Sequence, residues 1–105
     1  MGQAKIMKEL KGFKENLKKD FPDEKIIFFG SRAIGRAGPD SDVDLIIVSE
    51  KFRQMNFIKR AARMYDYWNL NYPVDFLCYT PDEFKALKGR ISIVSQALKE
   101  GVVVR

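Results

Sequence analysis

The chain has 105 residues, a formal net charge of +5, no histidine and one cysteine. That length fits a single domain with one core, and 46% hydrophobic against 31% charged residues is the balance of a folded globule. The counts exclude Ser-His-Asp and Cys-His catalysis, an imidazole general base, a histidine-bearing zinc site and an internal disulfide. Any catalysis must come from carboxylates, Lys, Arg, Tyr, hydroxyls, backbone amides or a hard cation held by oxygen. The longest apolar runs, Ile26 to Phe29 and Leu45 to Val48, fall far short of the roughly 20 residues of a membrane span. Met1 to Leu10 is interrupted by Lys5 and Lys8 and has no apolar signal core. With Cys78 alone, the expected setting is the reducing cytoplasm.

From Ala4 to Lys19 the apolar positions Ile6, Met7, Leu10, Phe13 and Leu17 recur at helical spacing, with a lysine-rich outer face. Phe21-Pro22-Asp23 reads as a stop and turn. Lys25 to Phe29 is a short buried strand, ended by Gly30 and Ser31. A loop with Gly35, Gly38 and Pro39 runs on to Ser41, and Val43 to Ser49 is a second strand. Phe57, Ile58, Ala61, Met64, Tyr65 and Trp68 predict a second helix over Met55 to Leu70. Asn69 to Pro73 is a turn and Val74 to Tyr79 a third strand. Thr80-Pro81-Asp82-Glu83 is a strong helix start, with Thr80 as N-cap and Glu83 closing a capping box. A last helix is expected over about Ile91 to Glu100, stopped by Gly101, and Val102 to Val104 suits an edge strand. Helices alternating with strands predict a small α/β or α+β domain with a mixed β-sheet flanked by helices.

The chemistry concentrates in residues 30–45. Asp42 and Asp44 sit two apart at the start of a strand, so their carboxylates share a face. Aspartate is depleted in strands, and two on one face repel unless a cation lies between them. A divalent metal such as Mg²⁺ fits, because it takes one or two protein carboxylates together with substrate phosphates. A solvated strand end carrying two acids explains the same residues equally well. Asp75 tips the balance: it interrupts the apolar strand Val74 to Cys78, and pairing of the second and third strands would gather three acids. Such a cluster suits one metal ion, or two about 3.5 to 4 Å apart. Gly30 and Ser31 directly follow a strand, at an expected helix start where backbone amides can cradle phosphate. The run from Gly30 to Ala37 imitates a P-loop, but Arg36 and Ala37 stand where that motif needs Lys and Ser or Thr, so that reading is set aside. Asp40, beside the motif, is expected to be loop.

In this order, strand then Gly30-Ser31, Ser41-Asp42-Val43-Asp44-Leu45 opening a second strand, and Val74-Asp75-Phe76 in a third, the chain resembles the polymerase β-like nucleotidyltransferase superfamily. Its shortness is most similar to the minimal nucleotidyltransferases. One departure is Ile34, where many minimal members carry a basic residue. The resemblance implies that Asp42 and Asp44 hold Mg²⁺ on a nucleoside triphosphate such as ATP. It further implies that Asp75 completes the site and helps activate a hydroxyl, and that Gly30 and Ser31 bind phosphates, with Arg32 or Arg36 neutralising charge. It also implies a HEPN-type partner protein, in a toxin–antitoxin pair where the nucleotidyltransferase modifies the toxin with AMP. A second copy of the chain, as a homo-oligomer, is another source of the missing acceptor surface. The alternative is a non-catalytic module that neutralises a partner by contact or binds nucleic acid through its +5 charge. A lysine-coated helix kept for solubility accounts for the bulk charge as well. Tyr65, Tyr67 and Trp68 suit either a partner or the core, and Trp68 is expected in the core.

Overall fold

The computed structural model describes residues 2–36, 38 and 41–105. Asp40 therefore lies outside the described residues. In chain order the elements are helix α1 (Gly2–Lys18), strands β1 (Lys25–Phe29) and β2 (Val43–Val48), a 3-10 turn (Glu50–Gln54) and helix α2 (Phe57–Met64). A second 3-10 turn (Tyr65–Tyr67) follows, then strand β3 (Val74–Tyr79), helices α3 (Pro81–Lys88) and α4 (Ile93–Glu100), and strand β4 (Val102–Val104). The four strands form one mixed sheet in the order β3-β2-β1-β4. β1 runs antiparallel to β2 and β4, and β2 runs parallel to β3.

Period-two alternation divides the sheet into two faces. Val43, Leu45 and Ile47 of β2 point to one side and meet Ile6, Leu10, Phe13 and Leu17 of α1, with Met64 of α2 and Phe76 of β3. Ile46 and Val48 point to the other side and meet Phe84 of α3 and Val94 and Ala97 of α4. α1, α3 and α4 turn apolar side chains to the sheet, α2 contributes Met64, and the α1 lysines Lys5, Lys8, Lys11 and Lys18 remain exposed. Cys78 is buried, and burial pushes its thiol pKa up to about 12, which makes it a small core residue and not a nucleophile.

The helix expected over Met55 to Leu70 is the main correction. Ser49 caps the 3-10 turn by accepting from the Lys51 amide, and Asn56 caps α2 by accepting from the Lys59 amide. Those side-chain bonds set the helix start at Phe57. At the other end the Tyr67 hydroxyl donates to Asp20 (2.6 Å) and the Trp68 indole donates to the Tyr72 carbonyl (3.0 Å). The first bond is long-range and the second local, and together they hold the 3-10 turn and the extended Trp68 that follow Met64. Phe57, Ile58 and Tyr65, expected on a buried face, are exposed, whereas Tyr67 is buried. Trp68 does join the core, edge-on to Phe13 and Phe76. The capping box at Thr80 and Glu83 forms in both directions. α4 starts two residues later than expected, because Ser92 and Ser95 cap it reciprocally. Among the described residues no helix is long and apolar enough to cross a membrane.

Two side chains cover the outer edge of β3. The Tyr65 hydroxyl donates to the Val74 carbonyl (2.9 Å), and the Arg60 guanidinium donates to the Cys78 carbonyl (3.2 Å). Carbonyls left open on an edge strand would template pairing with another chain. Arg60 is itself buried and held by Glu83, at 2.6 Å, and by the Met55 carbonyl, so its charge is paired where desolvation would otherwise be costly.

Candidate active site

The parallel register of β2 and β3 sets Asp44 directly beside Asp75. Both lie on the face that α3 and α4 cover further along the strands. They stand at the N-terminal ends of β2 and β3. Asp42 precedes β2 by one residue and falls on the same face by alternation. Asp44 is partly buried, whereas Asp42 and Asp75 are exposed. Burial, followed by the like charges of Asp75 and Asp42, raises the Asp44 pKa above the usual carboxylate value. The three acids therefore act on one another electrostatically, and a cation among them would relieve that repulsion.

Gly30 adjoins this cluster for a steric reason. Its φ is +84°, a conformation that L side chains rarely adopt. A Cβ on Gly30 would overlap the Asp44 carboxylate oxygen Oδ2 and lie 3.0 Å from Asp44 Cγ. The partner of Asp44 across the antiparallel ladder is Phe29, so the end of β1 brings the Gly30 backbone against the Asp44 side chain. Glycine is what allows backbone and carboxylate to share this space.

Residues 31–35 form a turn and not the helix start expected from the sequence. The Ala33 and Ile34 amides both donate to the Gly30 carbonyl, and the Arg36 amide donates to the Ser31 carbonyl (2.9 Å). Gly35, with φ +75°, turns the chain away before a helix can propagate. Arg32 Nε donates to the Ser41 carbonyl (2.6 Å), and its guanidinium lies over the Tyr72 ring, 5.2 Å from the ring centre. Arg36 is exposed on the same loop.

The structure thus brings Gly30, Asp42, Asp44 and Asp75 to one end of the sheet, with Ser31, Arg32 and Arg36 on the adjoining loop. Among the described residues no three acidic side chains already converge as a metal cage. The donor set nevertheless suits a hard divalent cation, being all carboxylate oxygen. Asp42 and Asp75 are exposed, so they can turn toward an ion without leaving a packed position. The residue that sequence reading missed is Tyr72. Its only signal is the register: Val43 pairs with Val74, which places residue 72 alongside Ser41. A cavity of about 470 Å³ lies elsewhere, between α2, α3 and Tyr79. Its Arg60 and Glu83 are already paired with each other, and it contains none of the three acids.

Sheet order, strand register and the placement of the acids define the small α+β class of the polymerase β-like nucleotidyltransferases. The family model described as "Nucleotidyltransferase domain" matches residues 10–104, and the chain belongs to that family. Among solved structures it is similar to a presumed nucleotidyltransferase from Sulfolobus solfataricus, at 25% identity and a TM-score of 0.68, over 97% of this chain and 81% of that one. A second presumed nucleotidyltransferase is 28% identical, with a TM-score of 0.47, over 85% of this chain and 90% of that one. None of the curated proteins matches the chain.

Proposed function

We propose that this nucleotidyltransferase domain transfers a nucleoside monophosphate, AMP from ATP, to a hydroxyl acceptor in a reaction that depends on a divalent cation such as Mg²⁺. The observation that carries the reading is the in-register pair Asp44 and Asp75, with Asp42 on the same face and the Gly30 backbone packed against Asp44.

Asp42 and Asp44 would hold Mg²⁺, with Asp75 completing the set. Bound there, the cation would neutralise triphosphate charge and favour departure of pyrophosphate. The Gly30-Ser31 turn seats the β- and γ-phosphates. The acceptor hydroxyl oxygen attacks the α-phosphorus, forming one P–O bond while the bond to the β-phosphate oxygen breaks. The hydroxyl proton passes to the Asp75 carboxylate, which is exposed on the open side of the site. Arg36, exposed on the loop, balances charge on the leaving pyrophosphate. Positioning and electrostatics supply most of the rate in such a reaction.

A second copy of the chain or a partner chain could supply the acceptor hydroxyl. We propose a HEPN-type protein in the cytoplasm, with this chain as the antitoxin that modifies it. The test combines the purified chain, a HEPN-type protein, Mg²⁺ and ATP labelled at the α-phosphate. Label on the acceptor with equal release of pyrophosphate, both lost in Asp44→Asn, is the expected result. Neutralisation of the partner without label, and unchanged in Asp44→Asn, would replace catalysis with the contact-only reading.

A further inference from the structure

Tyr72 belongs to the turn between the 3-10 segment and β3, and nothing in the chemistry above uses it. It sits at the centre of a chain of contacts that ends on the acids. Trp68, fixed edge-on between Phe13 and Phe76, donates its indole N–H to the Tyr72 carbonyl (3.0 Å). The nearby Glu9 carboxylate of α1 raises the Tyr72 hydroxyl pKa above its ordinary value. Glu9 keeps its Oε2 buried without a hydrogen bond among the described residues, a costly arrangement for an acid. The Tyr72 ring lies under the Arg32 guanidinium at 5.2 Å. Arg32 Nε in turn donates to the Ser41 carbonyl (2.6 Å), and Ser41 immediately precedes Asp42. The Pro73 carbonyl accepts from the Val43 amide (2.8 Å), so the backbones on both sides of this stack are tied together as well.

We infer that Tyr72 is a positioning residue of the nucleotide site. By packing its ring against the Arg32 guanidinium, it makes Arg32 a clip between Gly30-Ser31 and Ser41, and so sets where Asp42 stands relative to Asp44 and Asp75. The role of Arg32 is then geometric before it is electrostatic. A planar fork both stacks on an aromatic ring and donates sideways, and lysine reproduces neither property. The clip rests on the contacts alone. Its purpose, presenting Asp42 to a metal–nucleotide complex, rests on the proposed function.

Two measurements separate these layers. The first is amide hydrogen exchange at Arg36 and Ser41 in ligand-free protein, since both amides donate within this loop. Arg32→Gln, Arg32→Lys and Tyr72→Leu should each speed exchange by about tenfold, the size expected when a contact worth roughly one hydrogen bond no longer opposes local opening. Tyr72→Phe keeps the ring and should stay within a few-fold of the unmodified chain. Arg32→Gln/Tyr72→Leu should be no faster than either single change, because the two act through one contact. Unchanged exchange in Tyr72→Leu, or effects that multiply in the double variant, would overturn the clip. Should Tyr72→Leu fail to fold, Arg32→Lys decides, because a rate like that of the unmodified chain would also overturn it.

The second measurement is the affinity for a non-hydrolysable ATP analogue with Mg²⁺, read by calorimetry beside the urea midpoint. Binding should weaken about tenfold in Arg32→Lys and Tyr72→Leu, return in Tyr72→Phe, and show no parallel with the midpoint. A loosened loop with unchanged affinity would overturn the positioning role. An unmodified chain that binds no Mg²⁺–nucleotide would remove the proposed function and the positioning role with it, while the exchange result still decides the clip.

Discussion

Gly30→Ala separates two costs that the structure places at one residue. Gly30 holds φ +84°, and the left-handed region costs a residue with a Cβ roughly 1–2 kcal/mol. Alanine also restricts the unfolded chain, which returns about 0.4–1 kcal/mol. The new Cβ would in addition overlap Asp44 Oδ2 and crowd Asp44 Cγ at 3.0 Å, so the carboxylate must leave its place. Gly35 is the control: its φ is +75°, and a Cβ there meets nothing within 4 Å. Gly35→Ala should therefore lose only the backbone term, about 1 kcal/mol or less. Gly30→Ala should lose about 1 kcal/mol more, the usual size of a contact coupling. With urea slopes of about 1–3 kcal/mol per molar, midpoint shifts of this size are readily measured. In an Asp44→Ala background Oδ2 and Cγ are gone and only the residue-44 Cβ remains, at 3.2 Å, so most of the extra cost of Gly30→Ala over Gly35→Ala should disappear. Equal losses for the two glycines in the unmodified chain, or no coupling between positions 30 and 44, would refute the claim that Gly30 is kept open for the Asp44 carboxylate.

Other expectations follow from the same geometry. Asp44→Asn should abolish nucleotidyl transfer yet raise the stability of the metal-free protein by a few tenths to about 1 kcal/mol, because like charges in register on paired strands destabilise by that much. A urea midpoint that falls would contradict the electrostatic account. Arg60 holds the Glu83 carboxyl below its ordinary value of 4.5, aided by the Thr80 amide. A lowered folded value means the stabilisation is complete above 4.5 and is lost as pH falls through the folded value. The urea midpoint should thus decline on acidification below about pH 4.5, less steeply in Glu83→Gln, and an identical decline in both would refute the link. Replacing the exposed lysines Lys5, Lys8, Lys11 and Lys18 with Gln should leave Mg²⁺–ATP affinity within about twofold if that face serves solubility, since exposed charges beyond a screening length act weakly. A larger loss, steeply salt-dependent, would make α1 part of an anion-binding surface.

Much of this fold could be read in the chain because its local signals agree. The apolar runs Lys25 to Phe29 and Val74 to Tyr79 are strands with the expected bounds, and Val102 to Val104 is the edge strand. Thr80-Pro81-Asp82-Glu83 starts a helix because three independent capping preferences coincide there. The second helix was misjudged because Phe57, Ile58 and Tyr65 have helical spacing without burial. What accompanies the end of that helix is the long-range bond of Tyr67 to Asp20 and the local bond of Trp68 to Tyr72, and neither has a sequence signature. Aspartate in an apolar strand is conspicuous, and alternation alone sets Asp42 and Asp44 on one face, but Asp75 joins them through the parallel register, which only the fold fixes. Gly30 was legible as a turn and as a close approach to a ligand. Its approach to Asp44, and the place of Tyr72 under Arg32, needed the three-dimensional arrangement.

The central claim is that Asp42, Asp44 and Asp75 with the Gly30 turn make one metal–nucleotide site. Thermal unfolding tests it most directly, with ATP and Mg²⁺ together, each alone and neither, on the unmodified chain and on Asp42→Asn/Asp44→Asn. Ligand at 100 times its Kd stabilises by about 2.7 kcal/mol, which for a domain of this size moves Tm on the order of 10 °C. The account predicts a shift of that size that needs both ligands and disappears in the double variant. No shift at millimolar ATP and Mg²⁺, or an equal shift in the double variant, would contradict it.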